Sequence, residues 1–162
     1  MALAAALAAG GCASPAAKEV FCYVGCNFGS KDLQGIHILA CDPATGSARE
    51  VGKLDGVQGT TYFTFSDDRT KLYSMRADPA KPRGRNGVIV CYAIGPTNLV
   101  ELNRVALDAG VPCYIARNRA GTVLVWADYG NAIAGVCALA PDGTLDTSVK
   151  PVTVQHHGSG PN

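Results

Sequence analysis

The chain has 162 residues, 48% of them hydrophobic and 17% charged, with a formal net charge of +1. That length suits one domain with an interior of its own, and the near-neutral balance excludes a nucleic-acid-binding tract or an acidic tail. Seven cysteines and three histidines show no paired C-x-x-C spacing and no matching histidine cluster, so no metal site and no cofactor is expected.

Residues 1–17 differ in kind from the rest. Ala and Leu dominate as far as Ala9, and Gly10-Gly11-Cys12-Ala13-Ser14-Pro15 follows. A short apolar stretch ending in small residues reads as an export signal, too short to span a bilayer. Small residues before Cys12 also look like a bacterial lipoprotein cleavage site, at which the thiol would take a lipid. No Lys or Arg precedes the run, and Ala9 stands where leucine is usual. The expectation is an exported chain, periplasmic or membrane-anchored through Cys12; the alternative is a mis-assigned start and a cytoplasmic protein.

Residues 18–162 read as a single all-β domain. Strand-like runs follow one another at Val20 to Val24, Gly35 to Cys41, Ala48 to Leu54, Thr61 to Phe65 and Lys71 to Met75. They continue at Gly87 to Ile94, Leu99 to Ala106, Tyr114 to Arg117, Val123 to Ala127 and Ile133 to Leu139, with a last run ending near Gln155. Between them lie Asp42-Pro43-Ala44-Thr45-Gly46, Ser66-Asp67-Asp68-Arg69, Gly95-Pro96-Thr97-Asn98, Asn118-Arg119-Ala120-Gly121 and Pro141-Asp142-Gly143. Such segments turn tightly because proline presets φ, glycine accepts positive φ, and Asx side chains bond their own backbone. The Pro-rich insert Asp78 to Asn86 holds Lys81, Arg83 and Arg85, the basic cluster of the sequence. Its plain reading is a solvated loop; its sharper one is a phosphate contact.

These elements recur. Gly35 to Asp78 lies over Gly87 to Gly130 at an offset of 52 residues, with Tyr62 on Tyr114, Thr70 on Thr122 and Leu72 on Leu124, and a third copy begins at Gly135. Self-similarity at about 40 to 50 residues marks four-stranded propeller blades, each needing neighbours to bury its faces. The expected fold is a partial β-propeller of about three four-stranded blades, the first copy supplying three strands and the next two four each. An open sandwich or meander of short strands is the alternative, disfavoured by the fixed period.

Tyr23-Val24-Gly25, Gly35-Ile36 leading to Asp42-Pro43-Ala44-Thr45-Gly46, Ala127-Asp128-Tyr129-Gly130, Pro141-Asp142-Gly143 and Val154-Gln155-His156-His157-Gly158-Ser159-Gly160 together resemble the lactonase family of seven-bladed propellers, which includes bacterial 6-phosphogluconolactonases. The resemblance runs from about Phe21 to the last residue. It implies a polar central channel in which a phosphorylated sugar lactone binds and water opens the ester. Such chemistry needs a base, donors for the developing oxyanion and a cation for the phosphate. His156 matches the histidine of the family's Gln-His-x-Gly segment and is the implied catalytic residue, with hydrogen-bonded loop capping as the plain alternative. Asp128, Tyr129 and Arg76 are the implied substrate-binding residues. Arg76-Ala77 replaces an Asn-Glu of relatives, and Asp128 replaces an Asn; a charge pair between Arg76 and Asp128, or a joint grip on phosphate and hydroxyl, follows as an expectation.

Seven blades at this period need about 340 residues, so the chain is expected to be a fragment or a faulty gene model of a longer propeller. Its open ends would then pair with missing blades or with another chain. Besides a lactone hydrolase, two alternatives stand: a non-catalytic exported binding module, and a non-functional remnant. The cysteines are expected to be mostly buried free thiols acting as small apolar side chains.

Overall fold

The structure, a computed structural model, describes residues 19–26 and 34–158. The reading of residues 1–17 as a leader, with its lipid at Cys12, lies outside them. Eleven strands form three antiparallel sheets, and no α-helix occurs among the described residues. The first sheet joins β1 (Val20–Cys26), β2 (Gly35–Cys41) and β3 (Ala48–Leu54) in that order. The second joins β4 (Phe63–Phe65), β5 (Lys71–Ala77), β6 (Gly87–Ile94) and β7 (Leu99–Ala106). The third joins β8 (Tyr114–Arg117), β9 (Val123–Asp128), β10 (Ile133–Ala138) and β11 (Val152–Gln155). These are meandering blades of the kind the repeat predicts.

Most strand bounds coincide with those the sequence predicts, and the exceptions have local causes. The run from Thr61 shortens to Phe63–Phe65, the residues that pair with Ser74 to Leu72, while the Thr61 hydroxyl donates to the Pro112 carbonyl (3.3 Å) in the neighbouring connection. The run from Lys71 lengthens to Ala77 because Arg76 and Ala77 pair with Val88 and Gly87. Leu139 leaves its strand for an isolated bridge to Leu145.

Two apolar clusters, one on each side of the second sheet, hold the blades together. Strand alternation sends Leu72, Val88, Val90 and Tyr92 against Ile36 and Ile38 of the first sheet. It sends Tyr73, Met75, Ile89 and Cys91 the other way, against Ile115, Leu124 and Trp126 of the third. The middle blade is therefore covered on both faces. That is why Val88 to Tyr92 form an unbroken apolar run, whereas β2 and β9 alternate. Gly135 lies opposite Trp126, where a side chain would strike the indole ring. The Tyr73 hydroxyl ties the blades further by donating to the Gly143 carbonyl (2.6 Å).

The short inner strands β4 and β8 pack side by side. Tyr62 and Tyr114, equivalent positions of the sequence repeat, meet there with ring centroids 5.0 Å apart. Arg117 completes the junction, donating to the Phe65 carbonyl and pairing with Asp67. Apolar residues remain exposed on the flanking sheets, at Phe21 and Val24 in the first and Val125, Val152 and Val154 in the third.

The cysteine expectation holds in part. The six described cysteines are free thiols, and Cys91 and Cys137 are buried, their thiols pushed up to about 11 by that burial. Cys22 and Cys113 are exposed instead, and Cys26 and Cys41 half-buried, since none of the four belongs to either apolar cluster.

Candidate functional site

β3, β5, β7 and β9 all finish at one end of the blades, so four connections converge there. Gln58, Gly59 and Thr61 come from the link between β3 and β4, and Gly110, Val111, Pro112 and Cys113 from the link between β7 and β8. The insert between β5 and β6 adds Lys81, Arg83 and Asn86, and a short 3-10 turn, Tyr129–Asn131, closes the ring after β9. Together they line a cavity of about 770 Å³.

Asp128 organises this end. It is only 5% exposed, and each carboxylate oxygen accepts two hydrogen bonds. Oδ1 takes the amides of Gly130 (3.0 Å) and Asn131 (3.3 Å), capping the 3-10 turn. Oδ2 takes the Gly110 amide (2.8 Å) and the Asn131 side-chain amide (2.6 Å). A Cβ at Gly110 would sit 2.8 Å from both Asp128 Oδ2 and Asn131 Nδ2, so glycine there permits the approach. The carboxylate thus joins the third blade to the link leaving the second, and no oxygen of it is left without a donor.

The insert is fastened at base and tip. At the base the Asp78 amide donates to the Asn86 carbonyl (2.7 Å), and near the tip Asn131 Nδ2 reaches the Gly84 carbonyl (3.4 Å). Arg85 turns outward to Asp108 (3.1 Å). Lys81 and Arg83 stay on the cavity wall and form no ion pair among the described residues.

Tyr129 stands on the rim, 84% exposed. His156 belongs to the same end but not to the cavity lining: its amide donates to the Ala132 carbonyl (2.8 Å), while Gln155 Nε2 donates to the Asn131 carbonyl (2.6 Å). The strand and its Gln-His continuation therefore brace the 3-10 turn from behind.

Arg76 is separated from this group. It shares its face of β5 with Leu72 and Ser74, the face turned toward the first sheet, and Asp128 approaches from the opposite side. The expected Arg76 to Asp128 pair is accordingly not formed; Arg76 pairs with Glu101 (2.9 Å). A bulge at the Cys91/Tyr92 step decides this, since it puts Glu101 and Asn103 on opposite faces of β7. Beside the pair lies Tyr92, whose buried hydroxyl has no hydrogen-bond partner among the described residues and is pushed up to about 12 by burial.

The fold and the site can be set beside known proteins. The family model described as lactonase, seven-bladed β-propeller, matches residues 21–162. The chain belongs to that family. A protein of Lactococcus lactis subsp. cremoris is 27% identical over 128 residues, which is 79% of this chain and 35% of that one. Among solved structures, one from Lactobacillus plantarum is 28% identical with a TM-score of 0.73, over 90% of this chain and 40% of its own. A candidate 6-phosphogluconolactonase of Bacteroides fragilis has a TM-score of 0.73 at 23% identity, with 89% and 38% covered. The periplasmic gluconolactonase of Pseudomonas aeruginosa has a TM-score of 0.69 at 24% identity, with 86% and 39% covered. This lactonase-family chain thus spans less than half the length of each of these relatives.

At this end of the blades, sequence reasoning missed Asn131 and Gly110, which share the Asp128 carboxylate. An Asp followed three residues later by Asn, straight after a strand, was the available signal for Asn131. Nothing local marks Gly110, because its partner is 18 residues away.

Proposed function

We propose that this chain supplies part of the binding surface of a lactone hydrolase, at the blade end where the cavity lies. Membership of the lactonase family is the observation that carries this reading. In the reaction the oxygen of water bonds to the lactone carbonyl carbon, the ring C–O bond breaks, and the released ring oxygen takes a proton. The product is a hydroxy acid, which sheds its own proton near neutral pH. In this reading the His156 imidazole accepts the proton of the attacking water, Tyr129 donates to the substrate from the rim, and Asp128 shapes the cavity wall through its four amide contacts. Arg76, committed to Glu101, contributes at a distance from the cavity.

Proton release from 6-phosphoglucono-δ-lactone and from glucono-δ-lactone, followed in a pH-stat with the full chain, tests the reading. A rate above spontaneous hydrolysis that His156→Ala lowers supports it. A rate equal to the spontaneous one would remove turnover from this chain.

A second reading, ligand binding without turnover, is favoured by one observation: the single carboxylate of the cavity lining has all its accepting positions filled by protein donors. In that case lactone and hydroxy acid bind, and proton release does not rise. Residues 1–17 carry an accompanying proposal of export, with a lipid on Cys12; fractionation together with the mass of the N-terminal peptide tests it.

A further inference from the structure

Cys22 and Cys41 meet on one face of the first sheet. In the antiparallel ladder of β1 and β2, Cys22 stands opposite Leu39 and Val20 opposite Cys41, which makes the two cysteines diagonal neighbours. Strand alternation puts Val20, Cys22 and Val24 on the same side as Leu39 and Cys41. Both flanking valines are exposed there, as is Cys22, and Cys41 is half-buried. The two thiols hydrogen-bond each other; that bond, ahead of burial and of the charges of Cys22 and Glu19, raises the Cys41 thiol above its ordinary value.

No other described cysteine competes for either thiol. Cys26 shares the face but lies farther along β1, about 13 Å from Cys22. Cys91 and Cys137 are buried in the cluster between the second and third sheets. The Cys113 thiol donates to the Ala127 carbonyl (3.4 Å) in the third. Meanwhile β1 is an edge strand, hydrogen-bonded to β2 alone, and it borders an apolar hollow of about 550 Å³ against Tyr62, Phe63 and Phe65. A strand held by one ladder opens more readily than one held by two.

We propose that Cys22 and Cys41 are a dithiol–disulfide site, closed by exchange with a low-molecular-weight disulfide, which staples β1 to β2. Cys22 is the more accessible of the two and reacts first. Its deprotonated sulfur bonds to one sulfur of the donor, the donor S–S bond breaks, and the other donor sulfur leaves as a thiolate. The deprotonated Cys41 sulfur then bonds to the Cys22 sulfur, breaking the mixed disulfide and releasing the second donor thiolate. Two protein thiols are oxidised, one donor disulfide is reduced to two thiols, and those thiols take up the two protons. In the oxidising surroundings that an exported chain meets, the pair is closed; in a reducing compartment it is open. Turnover of a lactone plays no part in this argument.

The test equilibrates the full chain with mixtures of reduced and oxidised glutathione, quenches with N-ethylmaleimide and maps the peptides by mass. A peptide linking Cys22 to Cys41 is expected, with an equilibrium constant for its formation at least about tenfold larger in the native chain than in concentrated urea. A tenfold advantage of the folded chain raises the melting temperature of the oxidised form above that of the reduced form by about 3–6 °C. Cys22→Ser and Cys41→Ser should each remove both the linked peptide and that rise, and Cys26→Ser and Cys113→Ser should keep both. Glutathione adducts that stop at Cys22, a linked peptide joining other cysteines instead, equal constants in native and denatured chain, or a rise that survives Cys22→Ser would each overturn the site.

Discussion

The Oδ2 atom of Asp128 lies 2.8 Å from the backbone nitrogen of Gly110, and that contact joins the last residue of β9 to the connection between the second and third blades. The Asp128 carboxylate is a structural clasp as well as part of a cavity wall.

Replacing Asp128 by alanine should therefore destabilise the fold. Four donors, three of them on the exposed residues Gly130 and Asn131, would lose their acceptor, a cost of about 2 kcal/mol. Asp128→Asn, which keeps one accepting oxygen, should cost about half as much. Trp126 is the single tryptophan of the sequence and sits at this interface, so its fluorescence in a urea titration reports the loss. A midpoint unmoved by Asp128→Ala would show that the contacts are idle.

Gly135→Ala offers a packing test at the same interface. The new methyl group would press on the Trp126 ring and stand 2.8 Å from the Val152 carbonyl oxygen. Overpacking of this kind costs about 1–3 kcal/mol. A blue or red shift of Trp126 emission should accompany the drop in stability, and wild-type stability would refute the crowding.

Alkaline pH should weaken the fold before it ionises the buried groups. Burial pushes Cys91 and Cys137 up to about 11, and Tyr73 and Tyr92 up to about 12. Their unfolded values are about 8.5 for thiols and about 10 for phenols, so above pH ~8.5 the unfolded chain releases protons that the folded chain keeps. Stability then falls with rising pH through the thiol and phenol ranges. Melting temperatures flat from neutral pH to about 10.5 would contradict this.

Acid should act on the turns. Asp68 is held down to about 2 by the Ser66 hydroxyl, then by the amide and hydroxyl of Thr70. Asp42, Asp142 and Asp146 are also lowered, by hydrogen bonds from their own turns. A depressed carboxylate stabilises above its unfolded value of about 3.9 and loses that contribution as pH falls toward the folded value. Melting should drop between about pH 4 and pH 2, and Asp68→Ala should make that drop shallower. An identical acid profile in the variant would separate Asp68 from the effect.

Thiol labelling gives a map of the packing. At mildly alkaline pH iodoacetamide should modify the exposed Cys22 and Cys113 and spare Cys91 and Cys137 until denaturant is added. Peptide masses before and after urea decide it, and rapid native modification of Cys137 would place it outside the core.

Strand identity was legible in the sequence because the determinants are local. Period-two patterning, β-branched runs and Asx, Pro and Gly turns lie within a few residues of one another, so Gly87–Ile94 and Tyr114–Arg117 were bounded as the structure has them. The repeat added the blades, since Tyr62 and Tyr114 had to be equivalent if one period governed both. Which face each side chain takes was decided only by tertiary pairing. A bulge at Cys91/Tyr92 turned Glu101 toward Arg76, and the clasp of Asp128 on Gly110 depended on two blades being adjacent. The same holds for the cations of the insert: the sequence placed Lys81, Arg83 and Arg85 together, and only the folded loop divided them between cavity and solvent. Patterning acts over the few residues of a strand or turn, whereas charge pairing is set by distances across blades that no local signal encodes.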